Sequence, residues 1–125
     1  MSCSTRLNSV VYKLENDELV SCCLISGERI YTPAATCGQN WIEIVANLIQ
    51  NNYNIWLTVD ASNLKMQALV SMAGLKAEHN PEVIKKILAN NDQKNPDDIL
   101  VIERNGLTVF EKTDHSDYPQ VLFRS

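Results

Sequence analysis

An α+β fold, a single domain over residues 1–125 with one antiparallel or mixed sheet and about three helices packed against it, is predicted by the order of segments. β-Rich runs occupy both ends of the chain, helical periodicity is confined to its middle, and Asn105-Gly106 between two apolar runs signals a hairpin. At 125 residues the chain has the length of one domain, enough to bury a core without disulfides or metals.

The strands of the first third form a meander. Val10-Val11-Tyr12-Lys13-Leu14 is β-rich, and Glu15-Asn16-Asp17-Glu18 is a polar turn. Leu19 to Ile25 is a continuous apolar and small run, Ser26-Gly27 turns the chain again, and Arg29-Ile30-Tyr31 makes a short third strand stopped by Pro33.

The first helix is read from Trp41, Ile44, Val45 and Leu48 at helical spacing, with Ile42 and Ile49 widening the stripe. Thr36 with Gln39, and Asn40 with Glu43, offer overlapping capping boxes, while Asn51 and Asn52 suit a left-handed end. Tyr53 to Val59 reads as a central strand because it is apolar almost throughout. A second helix is expected over about Asn63 to Ala77, with Leu64, Met66, Ala68, Leu69, Val70, Met72, Ala73 and Leu75 covering more than half its circumference. A helix apolar on so many sides is either deeply buried or part of an interface. Asn80 as cap and Pro81 in the first turn start a third helix, where Val83, Ile84, Ile87 and Leu88 form one narrow stripe and Lys85 and Lys86 face away. Asn90 through Asp97 is a polar loop, Ile99–Glu103 and Leu107–Glu111 form the hairpin, Asp114–Pro119 is a loop and Gln120–Arg124 a final edge strand.

Eleven basic residues stand against fifteen acidic ones, a formal charge of −4. Affinity for nucleic acid comes mostly from cations that displace counterions from phosphates. Here Lys85-Lys86, Arg104 and Lys112 are not interleaved with aromatic residues that stack on bases, so no nucleic-acid partner is expected. No run approaches the ~20 apolar residues of a membrane span, no basic amphipathic helix is present, and no signal peptide is read at the start, so no membrane partner and a cytoplasmic location are expected. Cys3, Cys22, Cys23 and Cys37 make no Cys-x-x-Cys pair, and neither His79 nor His115 stands at metal-ligand spacing from them. Reduced thiols and no metal are the expectation. No Gly-x-Gly-x-x-Gly, Walker A or His-Glu-x-x-His sequence occurs, so no cofactor is expected either.

Three residues could carry chemistry. Cys37 stands just before or within the first turn of the Trp41 helix, where a helix N-terminus favours thiolate. A nucleophilic cysteine needs a base, and the choices are His115, flanked by Asp114 and Asp117, and His79. Asp60 ends an apolar strand ahead of a helix, an edge where functional side chains gather, though N-capping together with Ser62 is the favoured reading of it. The fragment Cys37-Gly38-Gln39-Asn40-Trp41 resembles the Cys-Gly-Ser-Cys-Trp signature of papain-like proteases but has Asn40 at the nucleophile's place. Ser62-Asn63-Leu64-Lys65 has the Ser-x-x-Lys spacing of penicillin-recognising enzymes without their Ser-Asp-Asn and Lys-Thr-Gly companions. Asp97, Asp98 and Glu103 lack the lysine that a metal-dependent nuclease core requires, since position 105 is Asn.

The leading expectation is a non-enzymatic interaction or regulatory protein that self-associates, as a homodimer, and contacts a protein partner, with Leu64, Met66, Leu69, Met72 and Leu75 at the interface. The rival is a small cysteine-dependent or acid–base enzyme built on Cys37, with His115 or His79 as base and Asp60 nearby. A third reading is a ligand held between sheet and helices by Tyr31, Asn40 and Asp60.

Overall fold

Paired left-handed residues fold two of the sheet's hairpins. Asn16 and Asp17 (φ 52° and 64°) turn the first one, and Asn105 with Gly106 (φ 55° and 79°) the last. Positive φ at both central positions is the turn whose twist matches that of the flanking strands. The computed structural model describes residues 8–31, 39–92, 96–112 and 115–125. In chain order the elements are β1 (Asn8–Glu15), β2 (Glu18–Ser26), β3 (Arg29–Tyr31), α1 (Gln39–Gln50), β4 (Trp56–Asp60), α2 (Leu64–Met72), β5 (Lys76–Ala77), α3 (Pro81–Asp92), β6 (Ile99–Arg104), β7 (Leu107–Lys112) and β8 (His115–Arg124).

The strands form one sheet in the order β1-β2-β3-β4-β8-β7-β6, with β5 paired to the end of β8. All pairings are antiparallel except β3 with β4, which is parallel through Arg29 and Trp56, so the sheet is mixed. Alternation along the strands divides the core in two. Leu57, Val59, Val109, Val121 and Phe123 face Trp41, Val45 and Leu48 of α1 and Val70 of α2. Trp56, Phe110, Leu122 and Ile99 face the other way, onto Ile84 and Leu88 of α3. Helices therefore cover both faces of the central strands, and this is a single-domain α+β fold.

Each helix end has a local cause. Asn52 (φ 64°) ends α1, with its N–H on the Ile49 carbonyl at 3.0 Å and that of Tyr53 on Leu48 at 3.1 Å. Gly74 (φ 106°) ends α2 in the same way, bonding to Ser71 at 3.1 Å while Leu75 bonds to Val70 at 3.3 Å. Asn63 caps the start of α2 by accepting from the Met66 N–H at 3.0 Å. Asn80 caps α3 by accepting from Glu82 at 3.0 Å.

Four expectations are corrected. The second helix stops at Met72, not Ala77, because the left-handed Gly74 turns the chain into β5. The third helix runs through the Asn90-Asn91 pair to Asp92. The stretch expected as a loop at Asp114–Pro119 is strand from His115 onward, and β8 is interior, between β4 and β7. Finally, α1 begins at Gln39, so Asn40 lies inside the helix rather than ahead of it; Thr36 is outside the described residues.

Candidate functional site

The apolar surplus expected of the second helix is real, and the fold splits it. Val70 is fully buried, and Met66 and Leu69 are half-buried against the core formed with α1. On the opposite side Leu64 is 72% exposed, Met72 68% exposed, and Ala68 between them is also exposed. Positions 64, 68 and 72 are successive i, i+4 neighbours, so the three make one ridge along the outer face of α2. Leu75, expected at the interface, is 2% exposed and belongs to the core, because the turn at Gly74 drops it under the sheet. The ridge begins at a firmly built corner: Gln67 Nε2 donates to the carbonyls of Asp60 and Ala61 at 3.2 and 3.0 Å, and the Ala61 N–H reaches Pro119 at 2.9 Å.

Of the proposed catalytic trio, only the Asp60 side chain is described. Cys37 and the side chains of His115 and Tyr31 lie outside the described residues. Asp60 Oδ1 accepts from the Ser62 N–H at 2.9 Å and from its hydroxyl at 2.7 Å. Those two bonds hold its carboxyl below the usual carboxylate range. The group is engaged in the turn that precedes α2, and the N-cap expected of Asp60 with Ser62 falls instead to Asn63. Along β8, His115 stands five residues from Gln120, the register partner of Asp60. At the rise of an extended strand that is about 16 Å of backbone.

His79 sits elsewhere, in the link from β5 to α3. Its Nδ1 lies 3.1 Å from the hydroxyl of Thr108, which is 2% exposed. The neighbouring Glu78 bonds through Oε1 to Arg124 Nε at 2.6 Å and through Oε2 to the backbone N–H groups of His79 and Asn80 at 2.9 and 3.1 Å. This network ties β5, β8 and the start of α3 together, and no cysteine is part of it among the described residues. A cleft of about 360 Å³ opens beside it, with Ile55, Trp56 and Ile87 lining it together with Lys86 and Arg124. Arg29 lies over the Trp56 ring, 5.0 Å from its centroid. Among the described residues no group of three or more His, Cys, Asp and Glu side chains is placed to hold a metal ion, and no helix is long and apolar enough to cross a membrane.

One surface was missed from the sequence. Among the described residues the hairpin strand β6 forms an open end of the sheet, and Leu100 on it is 50% exposed. Its Ile-Leu-Val-Ile run looks the same whether a strand lies inside a sheet or at its rim, so nothing local in the sequence distinguishes the two. No protein-family model, curated protein or solved structure matches the chain.

Proposed function

We propose that this chain is a non-enzymatic interaction domain that acts through protein–protein contacts and self-associates as a homodimer. The observation that carries this reading is the ridge Leu64–Ala68–Met72, an apolar stripe displayed on a helix whose other side is already committed to the core. An apolar helix face left in water costs about 25 cal/mol for each Å² that a partner would otherwise cover. The ridge alone falls short of the ~800 Å² per partner typical of a stable complex. It therefore serves as the apolar centre of a larger protein–protein contact that draws on further surface.

Sedimentation velocity over a dilution series tests the self-association directly. A homodimer that dissociates on dilution is expected; a strict monomer at high micromolar concentration overturns that half of the proposal.

A further inference from the structure

The sheet ends in two edge strands, and the sequence treats them differently. β1 breaks its register with β2 between Lys13 and Leu14, a device that discourages an edge from pairing with another chain. β6 has no such break. Its register with β7 runs unbroken from Ile99 opposite Lys112 to Arg104 opposite Leu107, and its sequence, Ile-Leu-Val-Ile-Glu-Arg, contains no Pro and no Lys.

The hairpin turn dictates which backbone groups of β6 face outward. The two-residue turn at Asn105-Gly106 closes on Arg104 and Leu107, which exchange both of their hydrogen bonds. Alternation along an antiparallel pair then turns the N–H and C=O groups of Arg104, Ile102 and Leu100 towards β7, and those of Ile99, Val101 and Glu103 away from it. Only this outward set is available to a new strand.

A second β6, antiparallel and related by a twofold axis at Val101, fits that set. Val101 meets its own counterpart, and Ile99 meets Glu103. On the alternate positions Leu100 comes opposite Ile102, and Asp98, the last residue of the 3-10 turn (Pro96–Asp98) that leads into β6, comes opposite Arg104. Among the described residues neither Asp98 nor Arg104 has an ion pair. The charges select this register over its neighbours. Centring the pair on Leu100 sets Ile102 against Asp98, and centring it on Ile102 sets Leu100 against Arg104. Each alternative separates Asp98 from Arg104 and sets no opposite charges against each other.

We propose that β6 is the self-association edge: two copies pair β6 to β6, antiparallel about Val101, and one continuous sheet runs through both. This rests on the self-association reading and assigns it a surface, which leaves the α2 ridge for another protein.

The test compares dimerisation constants of full-length variants by sedimentation. Val101→Pro removes an outward N–H while sparing the ladder to β7, since proline is tolerated on an edge strand where its nitrogen faces solvent. It is expected to weaken the dimer at least about tenfold, because the central pair of hydrogen bonds is lost. Arg104→Asp sets like charges against each other at both ends of the ladder and is expected to weaken it by about tenfold. Adding Asp98→Arg restores the pairing, so the double variant dimerises like the parent. Arg104 and Asp98 are exposed, so their exchange reads the contact even if the proline variant fails to fold. A parent dimer whose strength is unchanged by both Val101→Pro and Arg104→Asp overturns the edge assignment and leaves self-association standing. A parent that stays monomeric throughout overturns both.

Discussion

Glu78 joins three segments through one carboxylate, and its titration can be followed from outside. Partial burial pushes its pKa up, but the bonds from the Asn80 N–H, the Arg124 guanidinium and the His79 N–H together outweigh this, and the carboxyl titrates below its ordinary range. A group whose folded pKa is depressed contributes stability that is present in full above the unfolded value and is lost as pH falls through the folded one. Glu78→Gln should therefore lower the unfolding free energy at neutral pH by about 1 kcal/mol, and the gap should close in acid, below the ordinary carboxylate range. Urea denaturation at a series of pH values measures it; a gap that persists unchanged in acid contradicts the role given to the carboxylate. Cys37 bears on the rival enzymatic reading. If the chain has no thiol catalysis, the alkylation rate at Cys37, followed by peptide mass spectrometry, keeps falling as pH drops below about 8.5 as an ordinary thiol's does. A rate that stays level well below that value would favour the enzyme.

The helix termini set the shape of the surface. Gly74 adopts φ 106°, and a Cβ built there lies 3.2 Å from Cδ1 of Ile49. Gly106 has φ 79° with open space around it. Replacing each by alanine should thus separate strain from crowding: about 1 kcal/mol at Gly106, and about 2 kcal/mol at Gly74, where the Ile49 side chain must also give way. Equal losses in thermal denaturation would contradict the close approach of α1 and α2. The ridge has its own check. Leu64→Lys combined with Met72→Lys should leave the monomer's stability within about 0.5 kcal/mol of the parent, because both side chains face water. A loss of several kcal/mol would mean that they pack inside.

These elements also show what a sequence reader sees and misses. The Asn16-Asp17 and Asn105-Gly106 turns, the Asn80-Pro81 helix start and the Trp41 stripe were legible because each rests on a backbone preference or a periodicity confined to neighbouring residues. The stop at Gly74 was equally local but was outweighed by the apolar run on both sides of it. The interior position of β8 was hidden, since Gln120 acquires its meaning only when Asp60, sixty residues earlier, arrives beside it. The same limit applied to the site. Apolar residues over Leu64–Leu75 pointed to a contact surface, but only the packing of α2 on the core separates exposed Leu64 and Met72 from buried Leu75.

At the scale of the whole molecule, the arrangement is a mixed sheet with its middle covered on both faces, one edge guarded and the other open. The central strands are sealed by α1 and α2 on one side and α3 on the other, and among the described residues Leu64 and Met72 on α2's outer face and Leu100 on the rim are large apolar side chains left exposed. Both proposed contacts lie there, and neither asks the core to rearrange.

Amide hydrogen exchange along β6, followed residue by residue as the protein is diluted, tests this most directly. In the associated state the amides of Ile99, Val101 and Glu103 should exchange slowly and become fast on dilution, while those of Leu100, Ile102 and Arg104, bonded to β7, stay slow throughout. Rates at Ile99, Val101 and Glu103 that are fast and identical at every concentration would contradict it.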